Sequence, residues 1–286
     1  MKALIISGGG VYGIIPCCLM ACADKESLSK IDVFGGTSVG GILSLHLAKY
    51  GDPQLLKRDF KENMGRFFTT SLRNKLDPFT PKYTADGIET ALQAILPGKI
   101  GDVPGKFVVP SFSFKRMSPV IFHNFTHQFA HMDAWKVARA TSAAPLAFPP
   151  FSENIFIDGG ILEKLPVITT ASMVFQATGT RASDLEVFAI GTGRVDQDLT
   201  RTKEEVESYS VLGWAKNLMP ILTTGGNELM SDFWGRNMGF KSYTHLNPII
   251  IKGVMDDVSQ ISTIEEMCEL HLGDFKEKWD AFIGND

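Results

Sequence analysis

Apolar positions in this chain fall in short runs that end at glycines. Residues 2–6 form such a run, closed by Ser7-Gly8-Gly9-Gly10, and predict a buried strand leaving a sheet through a tight loop. Residues 14–25 predict a helix, with Pro16 tolerated in the first turn, where no backbone N–H is needed. A second short strand at residues 33–34 feeds Gly35-Gly36-Thr37-Ser38-Val39-Gly40-Gly41. Ile42, Leu43, Leu45, His46, Leu47 and Ala48 then make a helix that is apolar on more than one face. The unit of strand, glycine turn and helix thus occurs twice near the N-terminus, which argues for an α/β sheet covered by helices.

Further along, residues 52–82 mix charge with Phe60, Phe67, Phe68 and Phe79 and show no clean period. This stretch reads as a flap or rim, with Phe67-Phe68 a candidate lipid-docking edge and core packing the equal alternative. Residues 86–96 predict a helix stopped by Pro97-Gly98, and residues 107–114 and 120–125 a pair of strands. Residues 133–142 predict a helix with Asp133 as N-cap. Ile155-Phe156-Ile157 runs into Asp158-Gly159-Gly160, and a strand at 185–190 opens into Gly191-Thr192-Gly193. Helices are expected at 203–220 and 263–282, making residues 203–286 a helical C-terminal part of a single domain spanning 1–286. No internal repeat, low-complexity tract or coiled-coil run is present.

Composition narrows the class. At 286 residues with a 44% apolar fraction, the chain can bury one sizeable core. The net charge of -4 and the lack of a basic block argue against a nucleic-acid partner. Three of the four cysteines, Cys17, Cys18 and Cys22, lie close together without a second Cys or His group at zinc spacing, so they read as small buried hydrophobes and no metal is expected. The apolar N-terminus resembles a secretory signal. Three consecutive glycines and Pro16 interrupt it, however, and the expectation is that it is retained. No run of 18 apolar residues exists to span a membrane.

Gly36-Thr37-Ser38-Val39-Gly40 has the Gly-x-Ser-x-Gly form. Between a strand and a helix it puts a serine on a sharp turn with its hydroxyl outward and the helix N-terminus beside it, where developing negative charge is favoured. Such a serine needs a base. His46 falls eight residues into the following helix and points away. His123, His127 and His131 are spaced by four but lack an acidic partner, and His245 and His271 sit in uninformative surroundings. Asp158 follows an apolar strand and precedes two glycines, so its carboxylate should emerge at a sheet edge, where it can serve as general base. Gly8-Gly9-Gly10-Val11-Tyr12-Gly13 allows two readings. It is a nucleotide loop, for which no acidic residue follows in a suitable context, or an oxyanion hole of consecutive backbone amides.

Together these segments resemble the patatin-like phospholipases, a family with a glycine-rich oxyanion loop, a Gly-x-Ser-x-Gly nucleophile turn and an Asp-Gly-Gly or Asp-Gly-Ala motif. The likeness extends through Ala140-Thr141-Ser142-Ala143-Ala144-Pro145, Phe148-Pro149-Pro150 and Gly191-Thr192-Gly193. The resemblance implies a three-layer α/β fold with a mainly parallel sheet and a Ser-Asp dyad, with Ser38 as nucleophile and Asp158 as general base and acid. Gly9 and Gly10 would form the oxyanion hole, and Gly8, Gly13, Gly36, Gly40, Gly159 and Gly160 are motif glycines. It implies hydrolysis of phospholipid or lysophospholipid esters without cofactor or calcium, in the cytoplasm, with peripheral membrane contact. A neutral-lipid esterase, an acyltransferase and a catalytically weak lipid-binding protein are the alternatives. Two departures stand out: Tyr12 replaces the family's usual Arg or Lys, and Glu163-Lys164-Leu165-Pro166 replaces an Asn-Pro sequence after the aspartate motif.

Overall fold

In the computed structural model, residues 1–71, 74, 77, 80–195, 202–210, 213–214, 217, 225–250 and 257–284 are described. Phe79 and much of the 203–220 segment lie outside them. A central sheet is built from β1 (Lys2–Ile6), β2 (Val33–Gly36), β3 (Lys106–Ser113), β4 (Ser118–His123), β5 (Phe156–Asp158), β6 (Glu186–Ile190) and β8 (Ser242–Leu246), in the order β4-β3-β2-β1-β6-β8 with β5 also pairing β3. The pairs β1–β2, β1–β6, β2–β3 and β6–β8 are parallel; β4 and β5 run antiparallel to β3. A small separate ladder joins β7 (Arg194–Val195) to β9 (Ile249–Ile250).

Alternation along β1 explains the layering. Leu4 and Ile6 enter one hydrophobic core and Ala3 and Ile5 the other, so the sheet is buried on both faces. The larger core lies against α1 (Ile14–Met20), α3 (Val39–Tyr50), α4 (Pro53–Phe67), α5 (Ala85–Ile95) and α6 (Ala134–Thr141), and the smaller against α7 (Val167–Thr178). Helix α3 is buried from Val39 to Ala48, as expected of a helix apolar on several faces. It stops at Gly51, whose φ of 58° is the left-handed C-cap that glycine favours.

Three expectations change. The 52–82 segment begins with an orderly amphipathic helix: Leu56, Phe60, Met64 and Phe67 are buried along one face of α4, which starts at Pro53 with the Asp52 carboxylate accepting from the Gln54 and Leu55 amides. Phe67 packs edge-on against Phe60, and Phe68 against Tyr83 and Phe148, so this pair is core and cavity wall rather than a docking edge. The C-terminal part is not wholly helical, because β8 adds an edge to the central sheet before α10 (Ile261–Glu269) and α11 (Leu272–Gly284) close over it. Asp133 is the N-cap of α6 as expected, its carbonyl accepting from the Lys136 and Val137 amides, while its carboxylate pairs with Lys99 and Lys136.

Candidate active site

Register on β3 brings two distant turns together. Strand β2 pairs with Lys106 to Val108 and β5 with Ser111 to Ser113. Since β4 occupies the other edge of β3, β2 and β5 share one edge and approach head to head. Ser38 follows the end of β2, and Asp158 is the last residue of β5. The Ser38 hydroxyl donates to Asp158 Oδ2 at 2.6 Å across 120 positions of sequence.

The turn carrying Ser38 is forced. Its φ of 56° and ψ of -127° are unusual for a residue with a side chain and store on the order of 1–3 kcal/mol of strain. The following helix packs so closely on β1 that a Cβ at Gly40 would sit 2.2 Å from the Ile6 carbonyl oxygen. The Ser38 amide donates to Thr141 Oγ1 at 3.0 Å, and that hydroxyl donates in turn to the Pro110 carbonyl at 2.6 Å. Thr37 Oγ1 anchors the other side by donating to the Glu163 carbonyl at 2.8 Å.

Asp158 is 6% exposed, and its Oδ1 accepts from the Gly160 amide at 2.7 Å. Burial pushes its carboxyl up to about 6, although the Ser38 hydroxyl, the Gly160 amide and the Arg139 charge all favour the ionised form. Arg139 is itself fully buried, paired with Glu89 at 3.4 Å, donating to the Pro149 carbonyl at 2.8 Å and lying over the Phe148 and Phe151 rings. Among the described residues no histidine lines the cavity. His46 instead faces Asp59 at 3.0 Å, and His245 faces Asp232 at 3.0 Å; burial holds both below the usual histidine range. Among the described residues no group of His, Cys, Asp or Glu could hold a metal ion.

Gly8, Gly9 and Gly10 line the cavity beside Ser38, a β-carbon at Gly8 standing 3.1 Å from that of Ser38. Gly8 donates to the Lys164 carbonyl at 2.9 Å and accepts from Thr192 Oγ1 at 2.7 Å, while the amides of Gly9 and Gly10 have no acceptor among the described residues. Gly10 has a φ of 58°, which turns the chain into the 3-10 turn Gly10–Gly13. With Ser38 and Asp158, these residues border a cavity of about 550 Å³ whose remaining wall is largely apolar, including Ile42, Phe67, Phe68, Ile88 and Phe148. Such a space suits a hydrocarbon chain next to a serine, a carboxylate and free amides.

Both departures from the family pattern have structural answers. Tyr12 is 4% exposed, and its ring joins the larger core; burial and then Asp257 raise its phenol. Glu163 accepts from the Ile168 and Thr169 amides and so caps α7, while Lys164 reaches the cavity wall and pairs with Glu228 on α9 (Gly225–Asn237). Thr141, Arg139, Thr192 and Glu228 were not singled out individually in the sequence. For Thr141 and Thr192, the available signal was their place inside motifs already recognised by resemblance; Arg139 lies one residue before such a motif and Glu228 lies outside them.

The family model for patatin-like phospholipases matches residues 4–171, more than half of the chain. The chain is similar to patatin-like protein 4 of Arabidopsis thaliana, 27% identical over 261 residues, covering 75% of this chain and 65% of that protein. It is 31% identical over 204 residues to a cGAMP-activated phospholipase of Pseudomonas aeruginosa, covering 66% of this chain and 61% of that one. VipD from Legionella pneumophila superimposes with a TM-score of 0.49 at 12% identity, covering 98% of this chain and 67% of that chain. The chain thus spans somewhat less than two thirds of the length of these two curated relatives. With the sheet order, the paired turns and this match over residues 4–171, the chain belongs to the patatin-like phospholipase family.

Proposed function

We propose that this protein is a serine lipid acyl hydrolase that cleaves carboxylic esters of phospholipids or lysophospholipids through a Ser38–Asp158 dyad. The observation that carries the reading is the 2.6 Å hydrogen bond from Ser38 to a buried carboxylate at the head of an apolar cavity. Ser38 Oγ attacks the ester carbonyl carbon and its proton passes to Asp158 Oδ2. The carbonyl oxygen becomes an oxyanion facing the Gly9 and Gly10 amides, whose hydrogen bonds strengthen as charge develops. Collapse expels the alcohol, which takes the proton from Asp158 and leaves an acyl-Ser38. Water, deprotonated by the same carboxylate, then attacks the acyl carbon; the fatty acid departs and the proton returns to Ser38.

The apolar wall supports an acyl-chain substrate because each methylene moved from water contributes about 0.8 kcal/mol. Peripheral contact with a lipid surface accords with Leu146, a cavity residue left 75% exposed. Among the described residues no helix is long and apolar enough to cross a membrane. The test is hydrolysis of a phospholipid panel by wild type, S38A and D158N, with fluorophosphonate labelling of the same proteins. Loss of at least about 10³-fold in turnover in both variants, with labelling abolished in S38A, is expected. Unchanged hydrolysis in S38A would overturn the assignment.

A further inference from the structure

A second cavity of about 510 Å³ lies away from the Ser38 site, between α1 and α10, and is bordered by three thiols: Cys18, Cys22 and Cys268. It opens to the surface past Ser262, Glu266 and Glu269, which are exposed. Cys18 Sγ lies 3.9 Å from the Glu265 carboxylate. Glu265 and Cys268 are three positions apart on α10 and therefore share its face, which places Cys268 opposite Cys18. Cys22 lies two residues beyond the end of α1, and its thiol turns back toward the Cys18 carbonyl at 4.0 Å. Only Cys268, on the facing helix, is placed to become the partner of Cys18.

We propose that Cys18 and Cys268 form a peroxide-sensitive dithiol, with Cys18 the thiol that is oxidised first and Cys268 the thiol that resolves it. The surroundings separate the two sulfurs chemically. Cys18 is held below the ordinary thiol range, first by a hydrogen bond from Cys268 and further by the Lys57 ammonium, against burial and the Glu265 charge; Cys268 is driven up. Lys57 and Lys61 pair with Glu265 at 3.5 and 2.6 Å, which offsets that carboxylate's repulsion of a thiolate. Burial raises the Cys17 thiol well above its usual range, and Cys17 does not border the cavity.

The chemistry balances with hydrogen peroxide as the oxidant. The Cys18 sulfur attacks one peroxide oxygen, the O–O bond breaks, and the leaving hydroxide takes the thiol proton as water. Cys18 is now a sulfenic acid, oxidised by two electrons while the peroxide is reduced. The Cys268 sulfur then attacks the Cys18 sulfur, the S–O bond breaks, and a second water leaves with the Cys268 proton. Two thiols and one peroxide yield one disulfide and two waters. The bridge ties α10 to the helix that follows the glycine loop.

The experiment treats native wild-type protein with hydrogen peroxide, blocks remaining thiols with N-ethylmaleimide under denaturing conditions, and maps peptides by mass spectrometry. The expected product is a Cys18–Cys268 linked peptide, with Cys17 and Cys22 alkylated. In C268S, dimedone should trap a sulfenic acid at Cys18, and in C18S Cys268 should remain reduced. Oxidation confined to Cys22, a Cys18–Cys22 link, or full alkylation of Cys18 and Cys268 at a dose that oxidises free cysteine in the same buffer would each overturn the proposal. None of these readouts depends on ester hydrolysis.

Discussion

Lys164 Nζ and Glu228 Oε2 meet at 2.6 Å with both side chains less than one-tenth exposed, behind the loop that carries the free glycine amides. The Lys164 carbonyl accepts from Gly8, and Glu228 accepts from Ser7 Oγ at 3.2 Å and from Asn247 Nδ2 at 3.1 Å. One buried pair therefore braces the loop from both its backbone and its side chains. Removing one partner leaves an uncompensated buried charge, so K164M or E228Q should each lose about 3–5 kcal/mol in denaturant unfolding. The double variant should recover part of that loss. Where the single variants remain folded, turnover should fall more than KM rises, because the amides of the proposed oxyanion hole act on the transition state.

The pH dependence follows from Asp158. In the proposed mechanism base catalysis needs the carboxylate, so turnover should fall as pH drops below about 6 and not near 4, where an ordinary aspartate would titrate. Arg139 favours the ionised form, so R139M should move this acid limb upward in a pH–rate profile. Stability runs the other way. Between 3.8 and about 6 the native state holds a proton that the unfolded chain has released, so this group's contribution to stability rises as pH falls through that window. At neutral pH the ionised group costs up to about 3 kcal/mol, and D158N should melt above wild type at pH 7.5 while losing activity.

Backbone strain at Ser38 can be isolated from its chemistry. S38A and S38G both remove the hydroxyl, but only glycine relaxes into a φ of 56° and ψ of -127°. S38G should therefore be more stable than S38A by about 1 kcal/mol in chemical denaturation.

The glycine loop is as sensitive to bulk as to charge. A β-carbon at Gly9 would stand 2.1 Å from Thr192 Oγ1, the hydroxyl that binds the Gly8 carbonyl. G9A should displace the loop and lower kcat by about 10²–10³-fold, comparable to losing an oxyanion donor. Fluorophosphonate labelling of Ser38 should persist at a reduced rate.

Much of this arrangement was readable from local chemistry. Strand ends at Ile6 and Ile190 and the turns at Ser38 and Asp158 all announce themselves through glycines, because close backbone approach excludes side chains there. Strand β8 was missed because Ser-Tyr-Thr-His-Leu carries neither an apolar run nor a clean alternation; it lies on the outer edge and is only half buried. Phe67 and Phe68 were open to two readings until α4 supplied the face on which Phe67 lies. Lys164 gave no hint of its partner, since Glu228 lies 64 positions away and the two meet only once α9 has packed.

Strand β3 acts as a common ruler for the serine turn and the aspartate turn, and this sets what the chain can tolerate. A one-residue slip of β5 along it would turn the carboxylate to the other side of the sheet. Loops between the two turns can lengthen or shorten freely provided both registers survive. The Ser38–Asp158 hydrogen bond has no existence before β3 has captured both neighbours, so a nascent or partly unfolded chain lacks the pair on which the proposed hydrolysis depends.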